Sequence, residues 1–341
     1  MREILKEIPK IELHCHLDGS VRPETMYELL VKDGEDLGVK DIKEFEDLVM
    51  VKNECKSLKE YLEKFGYPLK VMQNPESIER ITYELLEDLS KQNVKYVEIR
   101  FAPFLHMEKG LTFDEVVESV LKGMEKAKDD FKILSNAILI CMRHESVENS
   151  LKVVEYGEKY LGKGVVAVDL AGNEHDFSPE LHKGAFELAY NKGYNITIHG
   201  GETGIVENIP KSIELLHAKR IGHGIAAIKD DKVIDLLKEK NIFLEMCPIS
   251  NLQTKAVNSI ENYPIREYLK RGVRVTINTD NTTVSNTSLY KEYELLMDKI
   301  DFSIEEILKL IDNSVEAAFI SEKEKQNLRN TIKEELKNLI K

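Results

Sequence analysis

The sequence predicts an α/β protein: a single-domain (β/α)8 barrel of the TIM type, with extra helices after the first strand and at the C-terminus. Three observations carry that expectation. Eight short, β-branched, apolar runs alternate with stretches of helical periodicity along the 341 residues. The runs lack strict apolar–polar alternation, the pattern of strands covered on both faces in a parallel sheet. No repeat, low-complexity tract or Pro/Gly-rich linker divides the chain, so one domain over residues 1–341 is expected, a size such barrels reach as single units.

The first strand lies in Ile11-Glu12-Leu13-His14-Cys15-His16-Leu17-Asp18-Gly19-Ser20. Side chains alternate faces along a strand, so His14 and His16 share one side and can grip one metal ion through neutral ring nitrogens. Taken alone, a pair of solvated or core histidines is the plainer reading. Gly19 lets the chain turn just beyond.

From residue 21 to about 90 the spacing is helical. Pro23-Glu24 opens a helix through Leu30, and Ser77–Leu89 carries apolar residues at helical intervals. Between them an insert spans about residues 33–75. In it Leu58, Tyr61, Leu62 and Phe65 fall at i, i+3, i+4 and i+7, one stripe on one helix face. The stripe fits either a helix packed on the core or a lid over a pocket beside the first strand.

Seven more strands are expected at Val94–Phe101, Lys132–Met142, Val165–Leu170, Asn195–His199, Arg220–His223, Ile242–Cys247 and Val273–Thr279. Helical stretches separate them, at about 112–129, 179–192, 206–218, 230–239 and 263–271, with another between the third and fourth strands. Further helices run from about 303 to 341.

Composition narrows the function. Hydrophobic residues make up 42% and charged residues 32%, ordinary for a globular protein. A net charge of −13, with lysines interspersed among acids, argues against a nucleic-acid surface. The four cysteines, Cys15, Cys55, Cys141 and Cys247, are scattered without CxxC spacing, which suggests free buried thiols in a reducing compartment. Met1-Arg2-Glu3-Ile4 begins no apolar leader and no apolar run approaches a membrane span, so a cytoplasmic protein is expected.

Barrel enzymes build their sites at the C-terminal ends of the strands. There the sequence puts His14, His16, His199, His223 and Asp280, on four different strands. Singly, each histidine could be a satisfied core residue and Asp280 a helix cap. Jointly they converge on one rim, whereas His106, His144, His175, His182 and His217 do not and receive no role. Three imidazoles and a carboxylate suit zinc with a position left for water. The fourth strand ends Asp169-Leu170-Ala171-Gly172, without the lysine that commonly bridges two metals, so one metal is expected. Glu202 follows in His199-Gly200-Gly201-Glu202, where the glycines allow a sharp turn back toward the rim. It fits an acid or base beside the metal, or equally a first-turn glutamate of the next helix.

Six ordered motifs carry a family resemblance: Pro9-Lys10-Ile11-Glu12-Leu13-His14-Cys15-His16-Leu17-Asp18-Gly19, Val168-Asp169-Leu170-Ala171-Gly172, His199-Gly200-Gly201-Glu202, Arg220-Ile221-Gly222-His223-Gly224, Glu245-Met246-Cys247-Pro248 and Asn278-Thr279-Asp280-Asn281. With these the chain resembles the adenosine deaminases of the amidohydrolase superfamily from Pro9 to about Ile320. The resemblance implies one zinc per chain on His14, His16, His199 and Asp280, with His16 also facing substrate. It implies Glu202 as proton donor to purine N1 and His223 as the residue that orients and helps deprotonate the water. Gly172 would meet the purine, Asp18 the ribose, and Leu58, Tyr61, Leu62 and Phe65 would form a hydrophobic gate. The implied reaction is hydrolytic deamination of adenosine, and of 2′-deoxyadenosine, to inosine and ammonia in purine salvage. The base-editing deaminase signature H-x-E…P-C-x-x-C is absent.

Two positions depart from the family pattern. Asn281 stands where many members carry a second aspartate, and its amide can donate to purine N7 without being protonated. Gly200 replaces the usual alanine, a change expected to matter little. Asp18 stands where adenine-type deaminases tend to carry glutamate, and a carboxylate near the ribose 5′ end would repel a phosphate. Adenosine is therefore expected over adenine or AMP, with adenine or a 5′-modified adenosine as the alternative. A non-catalytic nucleoside binder would have lost a ligand or Glu202, and an ester or phosphotriester hydrolase would need the second-metal lysine. The expected partner is a small nucleoside, with no nucleic acid, membrane or obligate protein partner.

Overall fold

The computed structural model describes residues 2–52, 55 and 58–339. Residues 53, 54, 56 and 57 of the expected insert, and 340–341 of the expected terminal helices, lie outside that set. Eight strands form one sheet: β1 (Lys10–His16), β2 (Val94–Phe101), β3 (Leu134–Met142), β4 (Val165–Ala171), β5 (Asn195–Gly200), β6 (Arg220–His223), β7 (Phe243–Met246) and β8 (Arg274–Ile277). Each pairs in parallel with the next in chain order, as a TIM barrel requires.

Closure between β8 and β1 builds part of the site. Cys15 and Asp280 form a parallel bridge. The His16 amide donates to the Asp280 carbonyl at 2.7 Å, and the Asp280 amide to the His14 carbonyl at 2.8 Å. β8 is shorter than its apolar run predicts because Asn278 leaves the regular ladder: its side-chain oxygen accepts the Leu13 amide at 3.0 Å. Asp280 thus reaches the rim in a loop, in register with both histidines.

Helices cover the barrel largely where periodicity puts them. Pro75–Lys91 starts at an Asn74 cap, and Phe113–Phe131 starts at a Thr112–Glu115 capping box. The 179–192 stretch begins as a 3₁₀ turn, Pro179–His182, before the helix Lys183–Asn191. The expected 206–218 helix shrinks to Asn208–Glu214, with His217 in the left-handed region at φ 59°. The stripe in the insert is not on one continuous helix. Leu58–Leu62 is α-helical, Glu63–Phe65 is 3₁₀, and a new helix, Gly66–Val71, follows. Pro68 has no N–H to offer the carbonyl four residues back, which favours the break. Helices Arg2–Glu7 and Leu289–Ile300 were not expected from the sequence; Ile304–Ala317 and Glu322–Leu339 were.

Polar side chains fill much of the barrel interior. Arg100 of β2 donates to Asp169 at 2.8 Å and to Glu245 at 2.9 Å, while Arg220 donates to Glu98 at 2.6 Å, all fully or almost fully buried. Burial opposes ionisation of Asp169 and Glu245. The neighbours outweigh it: the His199 ring N–H and the Arg100 guanidinium hold Asp169 below the usual carboxylate range, and Arg100 and Arg220 do so for Glu245. All four cysteines are free and buried. Among the described residues no helix is long and apolar enough to cross a membrane.

Candidate active site

β1, β5, β6 and the loop after β8 bring His14, His16, His199, His223 and Asp280 together. His16 Nε2 lies 3.2 Å from His199 Nε2 and 3.3 Å from Asp280 Oδ1, and His14 Nε2 lies 3.4 Å from the same oxygen. One ligand atom from each of His14, His199, His223 and Asp280 also falls within 4.8 Å of the others. Two overlapping sets of three imidazoles and one carboxylate therefore share this point.

The surroundings select the nitrogens that face inward. His14 Nδ1 meets Glu245 at 2.7 Å and His199 Nδ1 meets Asp169 at 3.0 Å. An ionised carboxylate only accepts, so both Nδ1 atoms carry protons and both Nε2 atoms face the centre. Buried His14 Nε2 has no hydrogen-bond partner among the described residues. Ser250 donates to Asp280 Oδ2 at 2.6 Å, which leaves Oδ1 for the centre. Burial drives His16 well below its ordinary pKa, outweighing the pull of Asp280, so its ring is neutral. Ring nitrogens and an anionic oxygen this close are the donor set a divalent cation balances.

His223 is held differently. The Tyr263 hydroxyl donates to Asn251 Oδ1 at 3.0 Å, and the Asn251 amide nitrogen lies 2.9 Å from His223 Nδ1. Nδ1 is thus the acceptor, and the neutral ring carries its proton on Nε2, 3.7 Å from Glu202 Oε2. Burial lowers the His223 pKa to about 4, which keeps it neutral. His223 and Asp280 both sit in the left-handed region, each at φ 62°. Such strain in non-glycine residues costs on the order of 1–3 kcal/mol and concentrates at functional sites.

Glu202 does turn back to the rim. Gly201 makes the turn at φ 73°, where a Cβ would also come within 2.7 Å of Ile209. Glu174 pins the turn: its carboxylate accepts from the amides of Gly201 at 2.9 Å and Thr203 at 2.6 Å, and from Asn208 Nδ2 at 3.0 Å. Burial, then Asp280, raises the Glu202 pKa to about 8, so the carboxyl is protonated at neutral pH. A Cβ at Gly200 would make ordinary contacts, the nearest at 3.6 Å, so alanine fits there as expected.

Every residue expected to touch substrate lines one cavity of about 420 Å³: His16, Asp18, Gly172, Asn281, Leu58, Tyr61, Leu62 and Phe65, together with Glu202 and His223. Burial raises the Asp18 pKa to about 6. Ala102, Leu105, Ile140 and Met142 add an apolar wall, and His144, given no role from sequence, also borders the cavity. A larger hollow of about 610 Å³ lies around Lys219 and Phe319 and contains none of these residues.

Sequence reasoning missed most of the supports; Arg143 and His144, at the end of the third strand, stood in view as candidate braces not separable from structural residues. Glu174 stood in view after Ala171-Gly172-Asn173, but nothing local shows that it reaches the β5 loop. Arg143 donates to the His199 carbonyl and, at 3.0 Å, to that of Phe177, while His182 contacts the Arg143 carbonyl at 3.1 Å. Ser250 and Asn251 follow Cys247-Pro248, the only local hint that this loop faces the site.

Comparison with known proteins gives the family and supports the fold. The sequence profile of the adenosine deaminase family matches residues 9–335. The adenosine deaminase of Clostridium acetobutylicum is 51% identical over 328 residues, 96% of this chain and 98% of its own length. Among solved structures, the adenine deaminase of Arthrobacter aurescens superposes with a TM-score of 0.89 at 26% identity, covering 97% of this chain and 99% of its own. The Arabidopsis protein ADAL, solved with GMP, gives a TM-score of 0.87 at 30% identity, with 97% and 98% covered.

Proposed function

The chain belongs to the adenosine deaminase family, and on that premise we propose how its barrel mouth hydrolyses adenosine, and 2′-deoxyadenosine, to the 6-oxopurine nucleoside and ammonia. His14, His16, His199 and Asp280 would hold one divalent ion, and three neutral nitrogens with one carboxylate oxygen favour zinc. When bound, zinc supplies Lewis acidity and a water acidified toward about pH 7. His223 stays outside the ligand set, because Asn251 occupies its Nδ1 and leaves an Nε2–H to orient the attacking water.

Protonated Glu202 donates to purine N1, which weakens aromatic resistance at C6. Oxygen adds at C6, the bond from C6 to the exocyclic nitrogen breaks, and ammonia departs. Of the two water protons, one ends on ammonia and the other restores Glu202. Gly172 would face the purine with its backbone, Asn281 would donate to N7, and Asp18 would hold the ribose. The insert carrying Leu58, Tyr61, Leu62 and Phe65 would act as a lid within a single-domain enzyme. Free, buried thiols fit a cytoplasmic setting.

What carries this reading is the Glu202 carboxyl, pushed up to about 8 by burial, in the same cavity as His16, His199 and Asp280. The solved relatives include an adenine deaminase and a nucleotide-bound protein, so the alternative substrates are adenine and 5′-modified adenosines. Ammonia release from adenosine, 2′-deoxyadenosine, adenine and AMP, each at equal concentration, tests the choice. Adenosine should lead by kcat/KM, with AMP poor because its phosphate would meet Asp18. Preference for adenine or AMP would overturn the substrate assignment and leave the mechanism standing.

A further inference from the structure

Among the described residues, one hydrogen-bond partner fixes which end of the Asn281 amide faces where. Its Nδ2 donates to the Tyr61 hydroxyl at 2.9 Å, whereas its Oδ1 is buried without a partner among the described residues. That oxygen lies flat against Gly19, where a built Cβ would come within 1.7 Å of it. Tyr61 is itself 2% exposed, and its hydroxyl meets Ser285 Oγ at 2.6 Å. Nearby, Ser250 gives its proton to the Asp280 carboxylate. Hydroxyl protons are thus drawn toward the anionic end, and the Tyr61 oxygen is left to accept from the amide.

We infer that Tyr61 is a positioning residue: by accepting one Asn281 N–H, it fixes the amide with its second N–H free for the purine and its carbonyl on Gly19. This rests on the reading of Asn281 as the donor to N7. An aspartate at this position has two equivalent oxygens and needs no such holder. An asparagine with the amide reversed would turn an acceptor toward N7, itself an acceptor, and repel it. The lid residue therefore does more than cover the cavity. It carries the polar contact that makes asparagine usable at position 281.

The test is a cycle between protein and ligand, read by calorimetric binding of inosine and of 7-deazainosine, which lacks the N7 acceptor. Tyr61→Phe keeps the ring and removes the hydroxyl. It should weaken inosine roughly threefold to tenfold, the worth of one neutral hydrogen bond, and leave 7-deazainosine unchanged. Loosening of the lid alone would weaken both ligands equally, and that result would overturn the inference, as would no change for either. Asn281→Ala separates the two layers. If it also discriminates the ligands while Tyr61→Phe does not, the N7 reading stands and the positioning role falls. If Asn281→Ala weakens both ligands alike, the N7 reading falls and takes this inference with it.

Discussion

Replacing Glu174 by glutamine tests whether catalysis depends on how the Glu202 turn is held. The substitution keeps the shape and exchanges one acceptor oxygen for an NH2. One oxygen of Glu174 serves Gly201 and Asn208, and the other serves both the amide and the hydroxyl of Thr203. With the nitrogen toward Gly201 and Asn208, two donors lose their acceptor; with it toward Thr203, the Thr203 amide does, while the Thr203 hydroxyl can turn to accept. At about 1.5–3 kcal/mol per hydrogen bond to a charged group, roughly 1.5–6 kcal/mol of restraint on the turn disappears. A shift of about 1 Å in a catalytic group can cost about a hundredfold in rate, so kcat for adenosine should fall by about that factor. A second readout follows from charge. Glu174 is among the groups that raise Glu202 to about 8, so neutralising it lowers that pKa and moves the basic limb of the rate profile to lower pH. Spectrophotometric turnover across pH, with zinc content and melting temperature as controls, measures both effects. A variant that melts earlier yet keeps kcat within about threefold and an unmoved limb would refute the argument.

Other consequences concern the neighbouring groups. Glu202 must be protonated to donate, so the parent rate should fall as pH rises through about 8; a rate that climbs through that window would contradict its role. Glu245→Gln removes the carboxylate that orients His14 and should weaken zinc binding about 10- to 100-fold, measured against a competing chelator; unchanged affinity would count against the pairing. Ring-nitrogen NMR of the metal-free protein should find the His223 proton on Nε2, and Asn251→Asp should transfer it to Nδ1. A parent ring protonated on Nδ1 would reverse that assignment.

The barrel was legible because each buried strand needs a continuous apolar run, and each run is bounded by residues that stop it. Val94–Phe101 and Arg220–His223 match their sequence boundaries for that reason. The candidate ligands were legible because strand ends are where such barrels expose polar groups, so His199 and His223 declared themselves by position. Asp280 was placed correctly for an incomplete reason, since it reaches the rim through the bridge to Cys15 and not through an extended β8. Contacts between loops left little local trace. Glu174 acts on residues more than two dozen positions downstream, and Asn251 acts on His223 from the loop after β7. The helix Leu289–Ile300 went unseen although its Ser288 cap is a usual start signal.

The central claim is that one metal held by His14, His16, His199 and Asp280 works with Glu202 as proton donor. Inosine formation from adenosine, followed before chelation, after it and after zinc is returned, tests this most directly when run beside Glu202→Gln. The account predicts that the parent loses turnover with its metal and regains it with zinc. The variant should bind the same single equivalent and turn over about 10²- to 10⁴-fold more slowly, the span of general acid catalysis. Turnover that survives metal removal, or a Gln variant as fast as the parent, would contradict it.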